Sequence, residues 1–388
     1  MSKIPVSVLS GYLGAGKTTL LNSMLTQATE RIAVIVNDMS EVNIDAALLA
    51  RSTEELVELS NGCICCTLRE DLLREVENLV EKGGIDAIVI ESTGISEPIP
   101  VAQTFTYIDE ETGIDLTEIC ELDAMITVVD AYRFMNDYAS GETLLERKQT
   151  DDATDQRDVS DLLVDQLEFA NIFVITKSDL VNKDYLQQFQ AFLARINPKS
   201  EQHLAVNGEI DLTKLMHRQL FNFDEASTAA GWIHELEHEH TPETEEYGIT
   251  SFVYRRKRPF HPQRWHDWLA EMPVEIVRSK GFFWLATRDM PGLISQAGVS
   301  IQFSGAGEWV ATLSEHEKQQ ILIEDNELRA KWDETYGDRA SEIVFIGIDM
   351  DVKQMIEELD SCLVNDEEWA TSEHLADPLP QFVAAMQE

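Results

Sequence analysis

Through the first half of the chain, short apolar runs alternate with amphipathic stretches. Ile4–Leu9, Ile32–Val36, Ala87–Ile90, Met125–Val129 and Ile172–Ile175 are rich in Val and Ile, as strands buried on both faces are. Between several of them apolar residues recur at helical spacing, as in Leu20/Leu21/Met24/Leu25 and Leu72/Leu73/Val76/Leu79/Val80. Strand and helix in alternation predict an α/β fold with a doubly wound, mainly parallel sheet. Ligands of such sheets lie at the carboxyl ends of the strands, so residues just after each run are the first to inspect.

The pattern changes after residue 223. Asp224 to Glu246 is acidic and His-rich, carries Pro242, and reads as a linker or exposed excursion. Beyond it Ile249–Tyr254, Gly281–Thr287, Ser300–Phe303, Trp309–Thr312 and Ile343–Ile348 read as strands of a second, mostly antiparallel sheet. Helices are expected over His261–Glu271, Glu315–Ala330 and Val352–Leu359. The predicted organisation is an α/β domain over 1–223, a linker over 224–246 and a smaller α+β domain over 247–388. A length of 388 residues agrees with two domains, and no internal repeat is visible.

Composition narrows the partners. With 30 basic against 71 acidic residues, the formal net charge is −41. That field repels phosphate backbones and anionic lipid, so neither nucleic acid nor membrane is expected as a partner. No apolar run approaches the roughly 20 residues that span a bilayer. Met1–Val6 runs directly into the first strand without a charged-then-apolar leader, and a cytoplasmic location is expected.

Gly11-Tyr12-Leu13-Gly14-Ala15-Gly16-Lys17-Thr18 satisfies G-x-x-x-x-G-K-[ST], placed directly after a strand and before a helix. Its glycines let successive N–H groups curl around phosphates, and the helix adds its positive N-terminal end. Lys17 would reach the β- and γ-phosphates and Thr18 would offer its hydroxyl to Mg2+. Thr176-Lys177-Ser178-Asp179, at the end of a strand, matches the guanine-recognition pattern N/T-K-x-D. Its carboxylate would accept from the guanine N1–H and exocyclic amine, which adenine does not present together. GTP is therefore the expected nucleotide, with contacts assigned to Gly11, Gly14, Ala15, Gly16, Lys17, Thr18, Thr19, Lys177 and Asp179. Glu91-Ser92-Thr93-Gly94 stands where a GTPase carries D-x-x-G, with Glu91 on magnesium through water and the Gly94 amide near the γ-phosphate. Asp38 and Glu41 follow another strand and are candidates for magnesium or water positioning, against a plain solvated acidic loop. The catalytic set is Lys17, Thr18, Glu41 and Glu91.

Cys63, Cys65 and Cys66 form the most unusual segment, Gly62-Cys63-Ile64-Cys65-Cys66-Thr67. Thr67 and Glu70 make a T-x-x-E capping box ahead of Leu72, Leu73 and Val76. The sulfurs thus approach a helix N-terminus, where the dipole favours thiolate, the metal-binding form. Structural burial or a redox switch are the other readings of such a cluster. Three sulfurs leave a fourth position for water, a carboxylate or a partner's ligand. Cys120 and Cys362 stand alone and are expected to be ordinary core or surface residues. His234-Glu235-Leu236-Glu237-His238 matches H-E-x-x-H, the zinc-protease signature, but within a Glu/His-crowded segment near Pro242. A solvated linker, or a weak auxiliary metal site at His234, His238 and His240, suits it better than a protease.

With the P-loop, C-x-C-C, E-S-T-G and T-K-x-D together, the chain resembles the CobW-type metal-chaperone GTPases. Trp232–Tyr247, Tyr254–Trp268, Val277–Thr287 and Gly337–Asp351 resemble the C-terminal region of their YciC-like branch, so the likeness spans essentially the whole chain. The resemblance implies a GTP hydrolase of slow intrinsic turnover that binds Zn2+, or Co2+ in some branches such as the nitrile hydratase activator type, and hands it to a client enzyme. It assigns Gly14, Gly16, Lys17, Thr18, Glu91, Lys177 and Asp179 to nucleotide and magnesium, and Cys63, Cys65 and Cys66 to the transition metal. Thr176 stands where many relatives carry Asn. A P-loop small-molecule kinase would prefer ATP and leave the cysteines without a role; a metal buffer using nucleotide structurally would not turn it over. The sequence leaves the oligomeric state open, a homodimer included.

Overall fold

The computed structural model describes residues 3–36, 56–58, 67–106, 115–150, 155, 157–223, 225 and 248–382. Asp38, Glu41, Cys63, Cys65, Cys66, His234, His238 and His240 lie outside the described residues. The chain divides into two compact units, Met1–Gly231 and Trp232–Glu388.

The first unit is built on seven strands: β1 (Ile4–Ser10), β2 (Ile32–Val36), β3 (Leu56–Glu58), β4 (Ala87–Glu91), β5 (Cys120–Asp130), β6 (Ile172–Thr176) and β7 (Glu201–Leu204). They form one sheet in the order β3-β2-β4-β1-β5-β6-β7, and every neighbouring pair is parallel. Alternate residues of one strand serve opposite faces. Ile32, Val34 and Val36 pack with Leu20, Leu21 and Met24 of α1 (Lys17–Gln27). Ala33 and Ile35 pack with Leu72, Leu73 and Val76 of α2 (Thr67–Lys82) and with Val101 of α3 (Pro98–Thr104). Because both faces are covered, the strands read as unbroken apolar runs, and the doubly wound parallel sheet is what those runs predicted. Beyond β5 come α4 (Phe134–Tyr138), α5 (Val159–Glu168) and α6 (Lys183–Ile196). β3 and β7 close the two edges. The polar strand Glu201–Leu204 carries no buried residue and so no apolar signal.

The second unit is an antiparallel sheet of β8 (Ile249–Arg256), β9 (Ile276–Phe283), β10 (Gly292–Ala297), β11 (Ser300–Gly305) and β12 (Ser341–Ile348), ordered β11-β10-β9-β12-β8. α7 (Pro262–Ala270) and α10 (Val352–Ser361) bury Trp265, Leu269, Met355 and Leu359 against Tyr254, Phe283, Ile343 and Phe345. Three sequence expectations change here, and the first is that the strand expected over Gly281–Thr287 starts earlier, as β9. Trp309–Thr312 is not a strand: Asp338 accepts from the Val310 and Ala311 N–H groups at 2.7 and 2.8 Å and holds Val310–Thr312 in a 3-10 turn. The long helix expected over Glu315–Ala330 is broken at Asp325 into α8 (Glu315–Glu324) and α9 (Asn326–Lys331). A last short helix, α11 (Asp366–Ala370), follows α10.

Arginines fasten this C-terminal stretch. Arg256 binds Asp360, Arg264 binds Glu368 through both nitrogens at 2.8 Å, and Arg288 binds Asp377. The Arg264 guanidinium, with the Asn365 N–H, holds the Glu368 carboxyl down at about 2. A carboxyl lowered on folding stabilises the native state above its ordinary value, near 4.5, and that contribution is lost as pH falls toward 2. The pair is partly solvated, so its worth is about 1 kcal/mol. Arg264→Ala should therefore lower Tm at pH 6, and the gap to the unmodified protein should narrow between pH 5 and pH 2 in thermal melts, leaving the part due to the Arg264 bond to the Leu363 carbonyl.

Candidate functional site

β1 is the central strand, and the loop leaving it is shaped by its glycines. Gly11 has φ +132°, and a Cβ there would stand 2.3 Å from the Val128 carbonyl of β5. Only glycine lets the chain cross the neighbouring strand this closely and still turn into α1. Lys17 opens α1 and is buried. Its Nζ donates to the Gly11 carbonyl at 2.7 Å and the Tyr12 carbonyl at 3.4 Å, which holds the ammonium inside the loop. One amide is spent internally: Ala15 N–H donates to Tyr12 O at 3.1 Å.

The neighbouring strand ends supply the acidic side of the site. Glu91, the last residue of β4, is buried and accepts from Thr18 Oγ1 at 2.9 Å. A hydroxyl and a carboxylate in contact are the hard oxygen donors a small divalent cation takes. The turn after Glu91 is packed on the loop itself: a Cβ on Gly94 would lie 2.7 Å from the Leu13 backbone nitrogen. Three successive carbonyls of that turn are held from outside. Gln166 of α5 donates to Gly94 and Ser96 at 3.4 and 3.2 Å, and Arg157 donates to Ile95 at 3.3 Å and to the Glu97 carboxylate at 2.9 Å.

Thr176 ends β6, and its Oγ1 donates to the Ala15 carbonyl at 2.6 Å, tying the T-K-x-D segment to the Gly11–Thr18 loop. Lys177 adopts φ +54°, a left-handed conformation uncommon outside glycine. The turn sends its Nζ back to the Gly14 carbonyl at 2.9 Å, while Asp179 stays exposed on the 3-10 turn Ser178–Leu180. Thr19 is exposed in the first turn of α1, and its carbonyl abuts Gly208 in the loop after β7. Gly11, Gly14, Ala15, Gly16, Lys17, Thr18, Thr19, Glu91, Lys177 and Asp179 thus surround one end of the sheet.

Sequence reading missed Asp130. It is the last residue of β5, is buried, and pairs with Lys177 Nζ at 2.5 Å, while its other oxygen accepts from the Tyr132 and Arg133 N–H groups. The signal was present: a carboxylate directly after the apolar run Met125–Val129, in the position Glu91 holds after the run Ala87–Ile90. The loop after β7 was also missed. Its Ala205 N–H pairs with the Ile175 carbonyl at 2.9 Å, placing Asn207–Gly208 beside α1. Cys120 and Cys362 are both buried, with Cys120 pushed up to about 12 by burial, so neither offers a ready thiolate. Cys362 is a core residue, not a surface one. Among the described residues no helix is long and apolar enough to cross a membrane.

The family described as CobW/HypB/UreG, nucleotide-binding domain, matches residues 5–203, and the cobalamin synthesis protein cobW C-terminal domain matches residues 249–363. The chain is 41% identical over 385 residues to zinc-regulated GTPase metalloprotein activator 1 of Dictyostelium discoideum, covering 94% of this chain and 81% of that protein. It is 30% identical over 327 residues to a zinc chaperone CobW of a Sinorhizobium species, covering 79% of this chain and 90% of that one. The crystal structure of the Zn(II)-bound YjiA GTPase from E. coli aligns over 94% of this chain and all of that chain, at 23% identity and TM-score 0.44.

Proposed function

Because the chain belongs to the CobW/HypB/UreG family of P-loop GTPases, we propose that it uses GTP to time the capture of zinc at Cys63, Cys65 and Cys66 and its release to a client metalloprotein. The observation that carries this reading is topological. β3 lies parallel to β2 in the sheet that bears the phosphate loop. The chain therefore enters the cysteine segment from the carboxyl end of β3, the end of the sheet at which Gly11–Thr18 leaves β1, and resumes at Thr67, the first residue of α2. In this reading a γ-phosphate on the loop after β1 and a metal in the segment after β3 act on strands of one sheet, with β2 and β4 between them. The zinc names carried by the relatives point the same way.

In this reading Lys17 exchanges its two carbonyl partners for β- and γ-phosphate oxygens, charge-assisted bonds roughly twice as strong. Magnesium fits the Thr18–Glu91 pair, and when bound it would neutralise charge between the β- and γ-phosphates. Asp179 selects guanine, Lys177 supports the base with its stem, and Asp38 and Glu41 orient the attacking water. The Gly94 turn, packed on Leu13, follows the γ-phosphate. A cytoplasmic location suits three neighbouring thiols that must stay reduced to bind metal.

Linkage supplies the test. If GTP tightens zinc binding by some factor, zinc tightens GTP binding by the same factor, and couplings of this kind are typically about 5- to 150-fold. Titrating a slowly hydrolysed GTP analogue with and without saturating zinc should give affinities that differ within that range. Equal affinities would remove the coupling. Running cobalt beside zinc identifies which ion the nucleotide controls, and an ATP arm checks the base preference.

A further inference from the structure

We propose that Arg133 is a nucleotide-binding residue that contacts the phosphate chain at its α-phosphate end; the proposal rests on the reading of Gly11–Thr18 as the GTP loop. Arg133 Nη1 stands 3.6 Å from the point a Cβ on Gly14 would occupy, so the guanidinium lies over the phosphate loop. Its backbone is fixed from both sides. Asp130 Oδ1 accepts the Arg133 N–H at 3.1 Å. The next residue, Phe134, is buried and packs on Phe189 and Phe192 with ring centroids 5.3 and 5.9 Å apart.

The same Asp130 binds Lys177, and Lys177 donates to the Gly14 carbonyl, so Gly14, Lys177, Asp130 and Arg133 close a ring around the mouth of the loop. Within that ring Lys177 is committed to Asp130 and Gly14, and Lys17 to the interior of the loop. Arg133 is not committed. Its side chain is 51% exposed, and its ion pair among the described residues, with Asp137, is long at 3.6 Å. Asp137 Oδ1 is already taken by Arg147 at 2.7 Å. A surface i,i+4 pair of this kind is weak and does not by itself account for the guanidinium standing at this spot. An anion at the loop mouth offers it a stronger partner, with the two-pronged geometry that suits phosphate. In a chain of net charge −41, a cation at that mouth also offsets repulsion of an incoming polyanion.

Approach from the Gly14–Lys177 side is approach from the base end, away from the Thr18–Glu91 pair where the γ-phosphate chemistry lies. Arg133 should therefore bind GTP and GDP alike, raising affinity without changing turnover. The experiment is calorimetric titration of the full chain and of Arg133→Ala with GTP, GDP, GMP and guanosine, together with steady-state turnover. Arg133→Ala is expected to weaken GTP, GDP and GMP by about tenfold each, to leave guanosine and kcat unchanged, and to keep the melting profile of the unmodified protein. Arg133→Lys should recover part of the loss. Unchanged GTP and GDP affinity overturns the proposal. A fall in kcat with GDP affinity intact also overturns it, because the arginine would then act at the γ-phosphate. If the unmodified chain itself fails to bind GTP, the reading of the loop falls instead.

Discussion

Lys17→Ala should leave a folded protein whose GTP turnover has fallen by about a thousandfold, in line with the loss of a preorganised charged donor to a phosphoryl-transfer site. The ammonium is already desolvated and held between the Gly11 and Tyr12 carbonyls. Its cost of ordering is therefore met by the fold before substrate arrives, and its bonds to phosphate are worth more than those of a surface lysine. Alanine removes the charge from where negative charge would gather on the β–γ bridge, and among the described residues the neighbouring cations Lys177 and Arg133 stand on the Gly14 side of the loop. Lys177 is 2.9 Å from the Gly14 carbonyl and paired with Asp130, on the base side. The check is a phosphate-release assay beside a thermal melt. Turnover within tenfold of the unmodified protein would remove Lys17 from the chemistry, and a collapsed melt would assign it to loop stability.

Replacing Cys63, Cys65 and Cys66 together by serine should reduce zinc from about one ion per chain to none, while GTP affinity without zinc stays as it was. Serine keeps shape and hydrogen bonding but stays protonated near neutral pH, whereas the thiolate is the anionic, soft donor zinc takes. The GTP site proposed above draws on β1, β4, β5 and β6, none of which contains these cysteines. A separation of the two activities is therefore the expected result. Metal analysis after gel filtration and a GTP titration on the same sample decide it. Retained stoichiometric zinc would move the site to other ligands, His234, His238 and His240 first among them.

Most of the fold and half of the site were legible in the sequence, for a local reason. A phosphate loop works with the amides of eight consecutive residues and the helix that follows, so its composition carries its conformation. Buried parallel strands must be apolar on both faces, so β2 and β4 could be read almost to the residue. β9 was misplaced toward Gly281–Thr287 because Arg278, Ser279 and Lys280 interrupt its apolar pattern. Arg278 is nonetheless buried, with its guanidinium on Ser295 Oγ and the Gln296 carbonyl, and pairing to β10 and β12 settles the strand. Trp309–Thr312 has strand-like residues, yet the remote carboxylate Asp338 turns it into a 3-10 helix.

The sequence alone carried the motifs on which the proposed chemistry rests: the loop Gly11–Thr18, the T-K-x-D motif that ends at Asp179 and the cluster Cys63, Cys65 and Cys66. Only the tertiary structure decided what stands around that loop. Lys177 and Gly14 lie 163 residues apart in the chain, and Asp130 and Arg133 come from a third segment. The physical reason is that a parallel sheet brings distant strand ends together through backbone pairing and burial. Neither leaves a mark near the residues it makes neighbours.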